Sequence, residues 1–120
     1  MGPARRRRNL VAYFPKRGDF IRLNFNPQSG HEQMGSRPVL VLSHTSFNRK
    51  MRFVFVCPVS NTKRKNPFHV KIPEGEKISG VIMADQVRSL DHSARRAAFI
   101  CKCSEALLQE VLMHVEPILF

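Results

Sequence analysis

Acidic residues are scarce in this chain of 120 residues, which has 9 aspartates and glutamates against 20 lysines and arginines. The formal net charge is +11, and the run Arg5–Arg8 holds only part of it, so the rest of the chain is also basic. A surface of this kind attracts polyanions. The charge therefore favours a nucleic acid as the partner, although an acidic protein partner, or a charge that only aids solubility, stays open.

Long hydrophobic runs are also missing. The longest apolar runs, at 39–42 and 53–57, are far too short to cross a bilayer. No apolar stretch follows Arg5–Arg8, so a signal peptide is not expected. The chain has three cysteines, and an odd number argues against a disulfide framework and for a reducing compartment. We therefore expect a cytoplasmic protein with no membrane partner.

Metal-ligand patterns are equally absent. The five histidines are scattered singly, and no spacing of cysteine and histidine typical of a zinc site occurs. Cys101 and Cys103 lie two residues apart on a predicted strand, so their side chains would face the same way, and we expect them to be buried thiols. We expect no metal site and no cofactor.

The remaining pattern is that of one small domain behind a basic tail. Residues 1–16 are rich in arginine and contain two prolines, which predicts a flexible tail, and 17–120 form the domain. Alternation of apolar and polar residues predicts a first strand over 19–25. Further strands are predicted at 39–43, 52–59, 68–72, 80–87 and 96–102, with a connection of about one helical turn over 44–50.

The C-terminal segment predicts a helix. Ser104 suits the N-cap, apolar residues recur at helical spacing over 107–115, and Pro117 is expected to end the helix. The fold class is therefore mainly β (α+β): a small curled sheet or barrel with a C-terminal helix that packs against it.

Two residues of the loop between the first two strands are candidates for chemistry. Glu32 and Arg37 lie in a loop with two glycines, and RNA cleavage by the 2′-hydroxyl needs a proton acceptor and a cation for the phosphorane. A carboxylate suits the first task, and a planar guanidinium suits the second. An equally good interpretation is that Glu32 and Arg37 form a structural ion pair.

A second candidate group follows the third strand. Ser60 and Asn61 offer a hydroxyl and an amide for a phosphate, and Lys63 and Arg64 extend the positive charge. The alternative is that this basic loop is only a solvated tip.

Three more residues are candidates for contacts with RNA bases. On alternation, Phe68 is expected in the core and His69 on the outside, where an imidazole could contact a base or carry a proton. Asp85 and Gln86 end a predicted strand, where they either cap a loop or bind base edges.

Taken in order, the motifs resemble those of the MazF/PemK family of toxin endoribonucleases. The resemblance covers about residue 16 to the C-terminus. Its motifs are Arg-Gly-Asp at 17–19, Phe-Asn-Pro at 25–27, Gly-His-Glu-Gln-Met-Gly-Ser-Arg-Pro at 30–38, Cys-Pro-Val-Ser at 57–60 and Gly-Val-Ile-Met-Ala-Asp-Gln-Val at 80–87. The resemblance implies an SH3-like, CcdB/PemK-type barrel that works as a homodimer.

The implied activity is metal-independent cleavage of single-stranded mRNA at short motifs, leaving 2′,3′-cyclic phosphate and 5′-hydroxyl ends. Arg37 falls on the family's catalytic arginine, Glu32 on its motif glutamate, and Ser60 where a catalytic threonine is usual. Which of Glu32 and Arg37 is base and which is acid stays open. The residues expected to bind RNA are Gln33, Asn61, Lys63, Arg64, His69, Asp85 and Gln86.

The implied partner is a MazE-like antitoxin with an acidic segment that competes for the cations of the site. Two other functions stay open. One is a non-catalytic RNA-binding barrel, and the other is a CcdB-like topoisomerase inhibitor, for which the loop with Glu32 and Arg37 would be superfluous.

Overall fold

The computed structural model describes residues 13–24 and 36–120. They form seven strands, two α-helices and one turn of 3₁₀ helix. In chain order these are β1 (Asp19–Asn24), β2 (Ser36–Val41), α1 (Thr45–Lys50), β3 (Phe53–Ser60), β4 (His69–Lys71), β5 (Val81–Met83), the 3₁₀ turn (Ala84–Gln86), β6 (Arg88–Asp91), β7 (Ala98–Lys102) and α2 (Glu105–Leu119). In this part of the chain, no helix has the length and apolar character that a bilayer crossing requires.

The strands form one antiparallel sheet in the order β4-β5-β3-β2-β1-β7. The longest strand, β3, pairs with β2 along one edge, while β5 and β6 share its other edge. The predicted mainly β class with a C-terminal helix is confirmed. No ladder joins the end strands β4 and β7 within the described residues.

A single predicted strand over 80–87 is wrong. The strand ends at Met83, and the chain makes one 3₁₀ turn before β6 begins at Arg88. The interruption lies opposite Cys57 and Pro58 of β3, between the ladders that β3 forms with β5 and β6. Because proline has no N–H, Pro58 cannot donate a hydrogen bond that would continue the ladder. The 3₁₀ turn places Asp85 and Gln86 at the surface and not in the sheet.

Each face of the sheet carries a buried apolar cluster. The cluster under α2 contains Phe20, Leu40, Cys57, Val59, Ile82 and the helix residues Leu107, Leu108, Val111 and Val115. The cluster on the opposite face contains Ile21, Leu23, Val39, Val41, Val54, Val56 and Leu90. Neighbouring residues of one strand thus belong to opposite clusters, as the period of two in a strand requires.

The C-terminal helix begins as predicted and ends later. The hydroxyl of Ser104 accepts a hydrogen bond from the N–H of Leu107 at 3.2 Å, which satisfies one of the free donors of the first turn. The helix continues through Pro117 to Leu119, and the N–H of Phe120 donates to the carbonyl of Glu116 at 2.8 Å. Proline so near the end removes only one helical hydrogen bond, so the last turn still forms.

Residues 13–16 contact the domain. The buried side chain of Asn48 donates to the carbonyl of Pro15 at 3.0 Å, and the guanidinium of Arg49 lies 4.7 Å from the ring centroid of Phe14. The hydroxyl of Tyr13 donates to the carboxylate of Asp19, which is 1% exposed. The division into a tail of 1–16 and a domain of 17–120 stays a prediction.

Candidate active site

The end of β3 positions the hydroxyl of Ser60. Ser60 pairs with Val81 of β5, and Gly80 precedes that pair with a φ of +120°. A Cβ atom at Gly80 would lie 2.4 Å from the carbonyl oxygen of Ser60, so only glycine permits this close approach. The backbone of β5 thus fixes the place where β3 ends.

The basic loop after Ser60 is ordered by side chains that accept hydrogen bonds from the backbone two residues later. The hydroxyl of Ser60 accepts from the N–H of Thr62 at 3.1 Å, and that of Thr62 accepts from the N–H of Arg64 at 3.2 Å. The amide oxygen of Asn66 accepts from the N–H of Phe68 at 2.7 Å. These turns give the loop a defined course, as Ser, Thr and Asn do in turns generally.

This loop forms one wall of a cleft of about 290 Å³. The opposite wall comes from β4, the end of β5 and the 3₁₀ turn. The lining residues are Ser60, Thr62, Arg64, Asn66, His69, Met83, Asp85 and Gln86. Five of the candidates named from the sequence therefore meet in one cleft, although they come from separate segments of the chain.

His69 and Asp85 face each other in this cleft. The Nε2 atom of His69 lies 4.0 Å from the Oδ1 atom of Asp85, which is too long for a hydrogen bond. The His69 side chain is 9% exposed, and its Nδ1 atom is buried without a hydrogen-bond partner. His69 faces away from the core residue Val70, as alternation predicts, but the cleft walls cover it, so its side chain is not exposed to solvent.

The charge of Asp85 acts on the core beneath the cleft. Burial raises the pKa of the Cys57 thiol to about 12, and the negative charge of Asp85 adds to this effect. Cys57 is fully buried in the cluster under α2. Its thiol is therefore a packing group and not a nucleophile at neutral pH.

Arg37 lies in β2, outside the lining of the cleft. Its side chain is exposed, and it makes no hydrogen bond or ion pair with residues 13–24 or with the rest of 36–120. In the ladder between β2 and β3, Val39 pairs with Pro58. Continuing that register by two residues places Arg37 across from Ser60, with both side chains on the same face of the sheet.

The other predicted site residues are distributed as follows. Glu32 and Gln33 lie outside the described residues. Asn61 and Lys63 are exposed in the loop beside the cleft but do not line it. The expectation of no metal site stays a prediction; within the described part of the chain, no group of three or more His, Cys, Asp or Glu side chains is placed to hold a metal ion.

Sequence reasoning missed three residues that line the cleft: Thr62, Asn66 and Met83. Thr62 and Asn66 had a usable signal, because both are turn-forming residues within the polar loop. Met83 had none, since a methionine in an apolar strand is ordinarily a core residue.

Comparison with known proteins agrees with this architecture. Residues 16–119 match the family described as "PemK-like, MazF-like toxin of type II toxin-antitoxin system". The chain belongs to this toxin family. The mainly antiparallel sheet with its C-terminal helix is consistent with this membership.

Several named relatives support the assignment to the PemK/MazF family. The chain is 35% identical to endoribonuclease PemK of Escherichia coli over 87% of this chain and 81% of the relative. It is 36% identical to the endoribonuclease toxin ChpB of E. coli K12, covering 86% and 92% of the two chains. The chain is 39% identical to the endoribonuclease toxin MazF of the same strain, over 71% of this chain and 76% of the relative.

Solved structures agree. The crystal structure of MazF (Form-I) from Deinococcus radiodurans superposes with a TM-score of 0.79 at 40% identity, covering 89% of this chain and 97% of that chain. The MazE–MazF crystal structure (Form-II) from the same organism superposes with a TM-score of 0.79 at 34% identity, covering 89% of this chain and 96% of that chain.

Proposed function

We propose that this PemK/MazF-family toxin is a sequence-selective endoribonuclease that cuts single-stranded mRNA without a metal ion. The observation that carries the proposal is the exposed guanidinium of Arg37, which has no partner among the described residues and, by register, shares a sheet face with the hydroxyl of Ser60. A planar cation and a hydroxyl on one face suit a phosphodiester.

The proposed chemistry is an attack by the ribose 2′-hydroxyl on the adjacent phosphorus. The 2′-oxygen loses its proton and forms a bond to phosphorus, while the bond to the 5′-oxygen breaks and that oxygen takes up a proton. The products are a 2′,3′-cyclic phosphate and a 5′-hydroxyl. Because the nucleophile belongs to the substrate, the protein has to supply only proton transfer and charge stabilisation.

We assign Arg37 to the phosphorane oxygens, where negative charge grows as the reaction proceeds. Ser60 would hold a non-bridging oxygen through its O–H, since the Ser60 oxygen itself accepts from the Thr62 N–H. Glu32 stays a proposed base on the resemblance of its motif. The division of base and acid roles between Glu32 and Arg37 is left open.

The cations and amides around the cleft would bind the rest of the RNA. Arg64, Asp85, Gln86 and His69 line the cleft, and Asn61 and Lys63 lie at its side. Together with Gln33 they are the proposed contacts to phosphates and bases. Proteins that bind single strands combine a positively charged groove for the phosphates with side chains that hydrogen-bond base edges.

The proposed partners are an antitoxin and a second copy of the chain. One of the similar structures from D. radiodurans is of MazE–MazF, and an acidic antitoxin segment would compete with RNA for the same cations. The exposed fractions of Phe53 and Phe55, 45% and 42%, support a homodimer that covers apolar surface. The proposed substrate, mRNA, places the reaction in the cytoplasm.

The finer fold assignment is also a proposal. An antiparallel sheet whose central strand changes neighbours along its length, with a helix over one face, suits the SH3-like, CcdB/PemK-type barrel.

The test is incubation of the purified protein with a long single-stranded RNA in the presence of EDTA, with the new 5′ ends mapped by primer extension. Discrete cuts with 5′-hydroxyl ends are expected. A matched RNA with a 2′-deoxy nucleotide at the cut position should stay intact. Intact RNA that is nevertheless retained on a filter would instead indicate a non-catalytic RNA-binding barrel, and cleavage that vanishes in EDTA would contradict the metal-free reaction.

A further inference from the structure

We infer that the cleft holds one nucleobase next to the cut phosphate, and that His69 and Asp85 select a base with an exocyclic amino group over uracil. Adenine, cytosine and guanine carry such a group, whereas uracil has carbonyl oxygens in its place. The inference rests on the proposed function and deepens it by naming the class of base that the cleft accepts.

The size and position of the cleft suit a single base. Its volume of about 290 Å³ is close to the lower end of ligand pockets, which begin at about 300 Å³. Ser60 lines the same cleft. A base in the cleft is therefore attached to a nucleotide whose phosphate lies within reach of the proposed catalytic hydroxyl.

His69 offers a ligand in the cleft a second polar group, its Nε2 atom. Buried polar atoms are nearly always hydrogen-bonded, and leaving one unsatisfied costs free energy. The Nδ1 atom of His69 is buried and has no partner among the described residues, and the other ring nitrogen is too far from Asp85 for a hydrogen bond. A base edge placed between the two side chains would bond with the Nε2 atom of His69 and with the Asp85 carboxylate, whereas Nδ1, which has no accessible surface, is out of reach of a ligand in the cleft.

The carboxylate of Asp85 supplies the selectivity. An ionised carboxylate only accepts hydrogen bonds, and Asp85 accepts none from the described residues. Its side chain is 34% exposed, so it is open towards the cleft. An exocyclic amino group donates to it, as cytosine N4 does to acidic side chains. Uracil has a single donor on this edge, N3–H, with a carbonyl oxygen on each side of it, so binding uracil would bring like partial charge against the carboxylate and weaken its binding.

Met83 supplies an apolar wall for the base. It pairs directly with His69 across the β4–β5 ladder, so their side chains lie on the same face. The flexible thioether of methionine packs well against flat rings. Arg64, on the opposite wall, brings a guanidinium to the lining of the cleft and would face the phosphate backbone.

The experiment uses RNAs that share one cleavage site and differ by a single base at each position beside the cut. For the intact protein, cleavage should be about tenfold or more slower when uracil replaces an amino-bearing base at one of these positions, the scale of one base-edge contact. Asp85→Asn should remove that discrimination, because an amide can donate to a uracil carbonyl. Glu74→Gln is the control, since it removes the same charge from an exposed turn and should keep the discrimination.

A binding measurement keeps the inference testable if Asp85→Asn is inactive. RNAs with a 2′-deoxy nucleotide at the cut position cannot react, so their dissociation constants report base selection alone. The intact protein should bind the uracil RNA about tenfold more weakly, and Asp85→Asn should bind both RNAs alike. His69→Gln should weaken binding of the amino-bearing RNA, whereas His114→Gln on α2 should not.

The outcomes separate the two proposals. A protein that neither cuts nor binds RNA contradicts the proposed function. A protein that cuts RNA but accepts uracil equally at every position beside the cut contradicts the inference alone. So does discrimination that survives unchanged in Asp85→Asn.

Discussion

Gly80 lies directly against the backbone of Ser60, with room for a hydrogen atom and for nothing larger. The carbonyl oxygen of Ser60 is 2.4 Å from the position of a Cβ atom at Gly80, and the Asn61 amide oxygen is 3.0 Å from it. This contact holds the end of β3 at the mouth of the cleft. The precision of the proposed active site therefore depends on a residue that has no chemistry of its own.

Replacing Gly80 by alanine should lower both stability and activity. The left-handed φ of +120° costs an L-residue about 1–3 kcal/mol, and the overlap with Ser60 adds about 1–3 kcal/mol. Urea denaturation measures the loss. Gly75→Ala is the matched control, because Gly75 has a φ of +93° but nothing within 4 Å of its Cβ position. Equal losses of stability and unchanged cleavage in both variants would contradict the role of the close contact.

Removing the guanidinium of Arg37 should abolish most of the cleavage and leave the fold intact. By analogy with an oxyanion-hole donor, Arg37→Ala should reduce the cleavage rate by about two to three powers of ten. Single-turnover cleavage of one RNA measures this, with circular dichroism to check folding.

Arg22→Ala is the control for this prediction. Arg22 is also exposed, on the neighbouring strand, but it pairs with Pro38 while Leu23 pairs with Arg37, so its side chain lies on the opposite face of the sheet. It should retain nearly full activity. Comparable losses of cleavage rate in the two variants would show that the overall positive charge of the surface is what counts, and would contradict a specific role for Arg37.

The hydroxyl at Ser60 should matter for chemistry and for the loop. Ser60→Ala removes the acceptor for the Thr62 N–H, at a cost of about 0.5–1.5 kcal/mol, and also the proposed phosphate contact. Ser60→Thr keeps both. Thr62→Val removes the analogous acceptor for Arg64. Cleavage should fall in Ser60→Ala well below that of Thr62→Val, although both lose one turn hydrogen bond; similar rates would assign Ser60 to structure alone.

The loss of folding stability at alkaline pH should depend on Tyr13. Burial, and then the hydrogen bond to Asp19, raise the pKa of Tyr13 well above its ordinary value of about 10. The folded state thus keeps the proton longer than the unfolded state, so this contribution is complete below pH of about 10 and is lost as the pH rises above it. The chain has one tyrosine and no tryptophan, so tyrosinate absorbance reports Tyr13 alone.

The measurement compares that absorbance in the native and in the urea-unfolded protein. The native transition should come at higher pH, and Tyr13→Phe should lose less stability between neutral and alkaline pH than the unchanged protein. Coincident native and unfolded titrations would contradict the buried hydrogen bond.

Much of the fold followed from the sequence because period and turn chemistry are local. Alternation over 19–25 predicted β1, and the apolar run at 39–43 predicted a strand covered on both faces, which the burial of Val39, Leu40 and Val41 confirms. The strand β6 was missed because only Leu90 of its four residues is buried, leaving almost no apolar pattern. The 3₁₀ turn was missed because its cause lies in β3, on another segment.

The candidate site, like the fold, was predictable from the sequence only in part. Residue types and motif order were enough to propose Arg37, Ser60 and Asp85, and the roles of these residues stay proposals. The burial of His69 was not predictable, because alternation specifies the face of a strand but not what covers that face.

By itself the sequence determined the class of fold, the basic character of the surface and the family, since these depend on composition, local periodicity and motif order. Only the tertiary structure decided that Asp85 faces His69, that Gly80 touches Ser60 and that five candidates share one cleft. These relationships join residues distant in the chain, and they depend on strand register and on the turn that interrupts the ladder. A register is a property of paired strands, so no single segment contains it.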